Sequence, residues 1–137
     1  MPTATLTLTS ADIAGDPVNV SKTSTCYKAG TTAMLDQTGG LNKIILTSGS
    51  ANTILDAVAA GANKAAKVYI RNLSEVASEY ITVTINNTVI GKLYSGQWLF
   101  IPWSQNDADA DVKVTASEAG LSIPVEYMLM HEGWSFA

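Results

Sequence analysis

The sequence predicts an all-β protein, an antiparallel β-sandwich or jelly-roll-like fold in a single domain spanning residues 1–137. Three observations carry this reading. Apolar and polar residues alternate with period two in segment after segment, the signature of strands with one buried face. Turn-forming residues, among them Gly39-Gly40, Asn86-Asn87 and Ser95-Gly96, fall between those segments, at about the ten-residue spacing of sandwiches and barrels. A chain of 137 residues has the size of one compact domain.

Composition narrows the function classes. Hydrophobic residues make up 47% and charged residues 15%, the latter well below the ~25% of ordinary soluble domains. Such a chain buries a core rather than staying disordered, and some of its apolar surface is expected to lie against neighbouring subunits. The net charge of −4 and a pI near 4.7 argue against nucleic acid as a partner, since phosphate neutralisation needs a basic face. One cysteine and one histidine exclude an intrachain disulfide and any multi-Cys or multi-His metal centre. No metal and no cofactor is expected. The first ten residues lack the basic start and apolar block of a signal peptide. The longest apolar run, residues 54–62, is interrupted by Asp56 and falls short of the ~20 residues of a membrane helix. Synthesis in a cytoplasm and no membrane partner are the expectations.

Along the chain, Ala4, Leu6 and Leu8 alternate with Thr3, Thr5, Thr7 and Thr9, a half-buried strand with β-branched residues facing out. Residues 12–17 contain Gly and Asp-Pro and read as a turn, and residues 18–27 as a weaker strand. Gly39-Gly40 precedes a short apolar run at residues 44–47, closed by Ser48-Gly49-Ser50. Residues 53–60 fit either a short helix, with Thr53 and Asp56 as a capping pair and Gly61 as the stop, or a strand.

From Lys67 onward the alternation is clear. Val68 and Ile70 oppose Tyr69 and Arg71; Ile81, Val83 and Ile85 oppose Tyr80, Thr82 and Thr84. Asn86-Asn87 tolerates positive φ and joins that strand to residues 88–93 as a hairpin. Trp98 and Phe100 oppose Leu99 and Ile101, and Pro102 places that strand at an edge or ends it. Val112 and Val114 alternate with Lys113 and Thr115, then Val125, Tyr127 and Leu129 with Glu126, Met128 and Met130. All but one of the aromatic residues lie beyond residue 66, so residues 67–132 are expected to form the main core, with Trp98 and Phe100 in it. Residues 1–66 read as lighter strands, an arm or sheet edges.

Catalytic signatures are sparse. His131 ends a strand beside Glu132, with no nucleophile elbow near any serine, and reads as structural or solvated; Cys26 reads as an inert thiol. No catalytic residue is assigned. Asp107, Asp109 and Asp111 match positions 1, 3 and 5 of a calcium loop, with Glu118 at position 12. Val112 stands where that loop needs Gly, and its neighbours alternate as a strand, so a solvated acidic turn is the better reading. Trp103, just past Pro102, and Trp134, near the C-terminus, are expected to be exposed. Aromatic residues of that kind seal a subunit contact more often than they stack on sugars. Leu6, Leu8, Trp103, Trp134 and Phe136 are therefore the candidate interface residues.

The segments Ala4-Thr-Leu-Thr-Leu-Thr-Ser-Ala-Asp12, Lys67-Val-Tyr-Ile-Arg-Asn72 and Ser78-Glu-Tyr-Ile-Thr-Val-Thr-Ile85 resemble a family of small virion structural proteins from cyanobacterial phages. So do Ile90-Gly-Lys-Leu-Tyr-Ser-Gly96, Phe100-Ile-Pro-Trp103, Asp111-Val-Lys-Val-Thr115 and Val125-Glu-Tyr-Met-Leu-Met-His-Glu132. The likeness is weakest across residues 30–66, and its motifs are strand patterns with no active site to carry over. The resemblance implies a non-enzymatic protein of the phage particle, above all a head decoration (cement) protein on the capsid surface. Its partners would be the major capsid protein and itself, as a homotrimer. A tail adaptor, a head-fibre part or a glycan-binding module are the alternatives.

Overall fold

The computed structural model describes residues 2–11, 18–28, 30–56, 65–103 and 110–132. Among these residues there are ten strands and no helix: β1 (Thr3–Ser10), β2 (Val18–Thr25), β3 (Gln37–Leu46), β4 (Asn52–Leu55), β5 (Ala66–Asn72), β6 (Tyr80–Ile85), β7 (Thr88–Tyr94), β8 (Trp98–Trp103), β9 (Val112–Ala116) and β10 (Ile123–His131). Every pairing is antiparallel. Residues 53–60, open between helix and strand on sequence, begin as strand β4, which ends at Leu55; residues 57–60 lie outside the described residues.

One four-stranded sheet has the order β3-β10-β5-β8 and the other β4-β9-β6-β7; β1 and β2 form a separate two-stranded sheet. Apart from the β6–β7 hairpin, each successive strand from β3 to β10 lies in the opposite sheet from the one before it. The early strands β3 and β4 thus become one edge of each sheet, and Leu46 carries the chain's first half into the core.

The alternation decides which faces meet. Val68, Ile70, Ile123 and Val125 from the first sheet and Ile81, Val83, Val112 and Val114 from the second are fully buried in one cluster. Each contributes on the order of 1.5–3 kcal/mol through the surface it removes from water. Tyr127 packs at the margin of this cluster.

β8 corrects the sequence reading. Its register on β5 sets Leu99 against Ile70 and Ile101 against Val68, so Trp98 and Phe100 turn to the outer face with Arg71 and Tyr69. Trp103, expected outside, is 4% exposed and belongs to the core. Its strand partner is the small Ala66, which leaves room for an indole. The indole N–H donates to the Ala110 carbonyl at 2.7 Å, so burial strands no donor.

Two turns show how glycine and asparagine shape the sheets. Gly39-Gly40, expected before a short strand, lies inside the ten-residue β3, where two residues oppose the single Leu129 between Met128 and Met130. Gly40 has φ +77°, the left-handed conformation that admits such a bulge. Asn86 and Asn87 take φ 53° and 58°, the two-residue hairpin turn their sequence indicated.

A buried amide ties loops to the first sheet. Asn72 is fully buried at the end of β5. Its Nδ2 donates to the Leu93 carbonyl at 2.9 Å and the Glu79 carbonyl at 3.2 Å, while its Oδ1 accepts the Ser74 N–H at 2.8 Å. Ser74 also hydrogen-bonds Glu79 through its hydroxyl, and Ser95 Oγ donates to the Ser74 carbonyl at 2.5 Å.

Candidate functional site

The outer faces of the two four-stranded sheets differ in chemistry. That of β6, β7 and β9 presents Thr82, Thr84, Thr115 and Lys113 with the Tyr80–Tyr94 ring pair, and Lys92 Nζ lies 4.7 Å from the Tyr80 ring centre. That of β3, β10, β5 and β8 presents Leu41, Ile45, Met128, Met130, Phe100 and Trp98. Trp98 is 50% exposed, and Leu41 and Ile45 are more so.

Over part of this apolar face lies the β1–β2 hairpin, paired over eight residues from Thr3↔Thr25 to Ser10↔Val18. Its strands pack mainly on each other. Its base is held where Cys26 N–H donates to the Pro2 carbonyl at 3.0 Å and Leu35 N–H to the Cys26 carbonyl at 2.8 Å, with Cys26 and Leu35 buried. A cleft of about 680 Å³ separates hairpin from sheet. Its sheet wall is Tyr69, Arg71, Trp98, Phe100, Met128 and Met130; its hairpin wall includes Thr3, Thr5, Leu6, Lys22, Thr23 and Ser24.

The sheet register explains this wall. Arg71 pairs with Trp98 and Tyr69 with Phe100 across β5 and β8, and Met128 flanks Tyr69 from β10. Tyr69 Oη donates to Glu126 Oε1 at 2.6 Å. Burial first, then this bond to Glu126 and the charge on it, raise the phenol pKa above its ordinary 10.0. Arg71 Nε donates to the Gly96 carbonyl at 3.2 Å. Among the described residues neither Arg71 nor Lys22 forms an ion pair; Lys28 with Asp36, at 2.7 Å, is the one salt bridge there. The cleft therefore offers an aromatic floor, two cations and a hydroxyl-bearing wall.

No family model matches the chain, and no curated protein sequence matches it either.

The candidate interface residues are scattered by the fold. Leu6 lines the cleft and Leu8 does not, and both remain about half exposed, at 50% and 56%. Trp103 is in the core and offers no surface to a partner. Trp134 and Phe136 lie outside the described residues. Asp107 and Asp109 lie outside them too, but Val112, at the calcium loop's sixth position, begins β9 and is fully buried, so β9 runs through the span the loop would need. Among the described residues no three His, Cys, Asp or Glu side chains cluster in a way that could hold a metal ion. His131 is buried, its Nδ1 2.8 Å from the Glu132 carbonyl, and Glu132 Oε2 accepts the Ala65 N–H at 3.1 Å. Sequence reasoning missed the cleft. The available signal was Tyr69 and Arg71 sharing a face opposite Val68 and Ile70, which makes that face outward and carries any strand paired with it along.

Proposed function

We propose that this protein is a non-enzymatic structural component of a phage particle. It would be a head decoration protein, seated on the major capsid protein lattice at the virion surface, self-associating as a trimer and assembled in the host cytoplasm. The body is read as a jelly-roll sandwich. The observation that supports the proposal is the strand order, β3-β10-β5-β8 beside β4-β9-β6-β7, which suits a double-sheet jelly roll, an architecture of viral capsid domains and also of lectins and cupins. The resemblance in strand motifs points the same way.

The surface suits cementing. A decoration protein adds contacts between capsid subunits, and symmetry multiplies each weak contact into a large avidity. β1 carries Leu6 and Leu8 half exposed on a strand whose only partner among the described residues is β2. β2 occupies one edge of β1; the other edge has no strand partner among the described residues and is a template for strand addition. A net charge of −4 suits an outer surface that leaves packaged DNA alone.

Counting copies in purified particles by quantitative mass spectrometry tests the reading. Hundreds of copies, in step with the major capsid protein, are expected of a cement protein. A few to some dozens would move the protein to the tail or a fibre, and its absence from particles would overturn the virion role.

A further inference from the structure

We infer that the cleft between the β1–β2 hairpin and the outer face of β5, β8 and β10 binds an acidic oligosaccharide, a chain bearing uronic-acid carboxylates. This is a binding activity beyond the structural role and independent of it. Three features select that ligand. The floor is aromatic: Trp98, half exposed beside Phe100, presents a flat face against which the C–H side of a pyranose ring can lie, burying apolar area without stranding hydroxyls. Cation chemistry adjoins it, because Arg71 is the cross-strand partner of Trp98. With its Nε–H on the Gly96 carbonyl, that guanidinium keeps further N–H donors in the planar geometry that suits a carboxylate. Lys22 adds a second cation from the hairpin wall.

The third feature is polarity opposite the aromatic floor. Ser24 lines the hairpin wall with Lys22, two residues away on the same face of β2, and its hydroxyl can meet a sugar hydroxyl. An apolar partner would use the aromatic floor and leave the cations and hydroxyls without partners, which costs binding energy wherever they are desolvated. A neutral sugar would leave the cations unused. The cleft's volume of about 680 Å³ falls in the roughly 300–1,000 Å³ range of small-ligand sites. In a chain of net charge −4, Arg71 and Lys22 bring two cations to one cleft, while Glu126, opposite Arg71 on β10, is engaged by the Tyr69 hydroxyl.

The test titrates the full chain with short oligogalacturonates and with neutral oligoglucosides of matched length, by calorimetry and tryptophan fluorescence. Oligogalacturonate should bind saturably, weaken with added salt and quench fluorescence. The neutral series should bind about tenfold more weakly or worse, the scale of losing one charge-assisted contact. Trp98→Ala should abolish binding, Trp98→Phe should keep binding while losing most of the quench, and Arg71→Gln should erase the preference for acid. Trp98 and Arg71 point outward, so all three variants should melt as the wild type does. Equal affinity for both sugar series, no binding of oligogalacturonate, or unchanged binding by Trp98→Ala would each overturn the inference. So would sedimentation showing that the wild-type chain self-associates through this face and that Trp98→Ala dissociates it, since a second copy would then fill the cleft.

Discussion

Trp98 and Trp103 stand at the two ends of one six-residue strand and on opposite faces of its sheet. Five positions apart, they have opposite parity in a period-two element. One indole is half in water beside Arg71, and the other is enclosed beside Ala66 with its N–H on Ala110.

The two should respond differently to truncation. Trp103→Ala should cost about 3–5 kcal/mol, the usual range for a large aromatic removed from a core. Trp98→Ala should cost less than about 1 kcal/mol, as for a surface change. Urea unfolding of both variants followed by circular dichroism measures the difference. Equal losses would mean that both rings are buried.

Asn72 should be among the least replaceable polar residues. Asn72→Leu keeps the size but removes three hydrogen bonds and leaves the carbonyls of Leu93 and Glu79 and the N–H of Ser74 without the amide. Each group left unsatisfied in a buried site costs about 1–3 kcal/mol, so the variant should lose roughly 3 kcal/mol or more in chemical denaturation. A near-neutral result would mean that water replaces the amide.

Stability should fall at high pH through Tyr69. Its pKa in the folded chain lies above 10.0, chiefly through burial and then through Glu126. The unfolded chain therefore gives up this proton first. Stability from the group is complete below about pH 10 and is lost as pH rises through the folded value. Tyr69→Phe should flatten the alkaline limb of the stability profile. In ultraviolet titration of the folded protein, one of the five tyrosines should ionise later than an exposed phenol and disappear from that late phase in the variant.

The Asn86-Asn87 turn gives a conformational test. Both residues hold positive φ. Asn87→Gly should preserve or slightly raise the melting temperature, whereas Asn87→Ala should cost about 1 kcal/mol because an L side chain with no local hydrogen bond resists the left-handed region. Differential scanning calorimetry separates the two.

Removing residues 1–9 deletes nearly all of β1 and leaves both four-stranded sheets their full complement of strands. The truncated chain should stay folded by circular dichroism but bind emptied capsids weakly. Wild-type affinity for those capsids would remove the hairpin from any adhesive role.

Legibility in the sequence followed polarity contrast. Val68-Tyr-Ile-Arg71 and Val112-Lys-Val-Thr115 each set β-branched aliphatics against residues with polar ends, and their buried faces were readable at once. Trp98-Leu-Phe-Ile101 is apolar on both faces, so alternation marks a strand without saying which side is in. Size pointed to Trp98; the register with β5 decided for Leu99 and Ile101. The β3 bulge was hidden because a Gly pair ends a strand as readily as it kinks one. The cleft needed the pairing of strands far apart in sequence and the position of the hairpin over them, and neither is written in local pattern.

The place of β10 has a consequence for biosynthesis. This last strand lies between β3 and β5, hydrogen-bonded to both. A ribosome has to release nearly all of the described chain before β3 has any partner in its sheet, and before β5, paired on its other side with β8, gains its second. Until then the first sheet exists as separate pieces with open edges, and contacts that span most of the sequence form last and slowly. A nascent chain in that condition exposes strand edges and apolar faces, the surfaces through which unfinished β proteins aggregate. The first sheet is therefore complete only once β10 has been made, and any lesion that stops translation before residue 123 yields an incomplete sheet rather than a smaller domain.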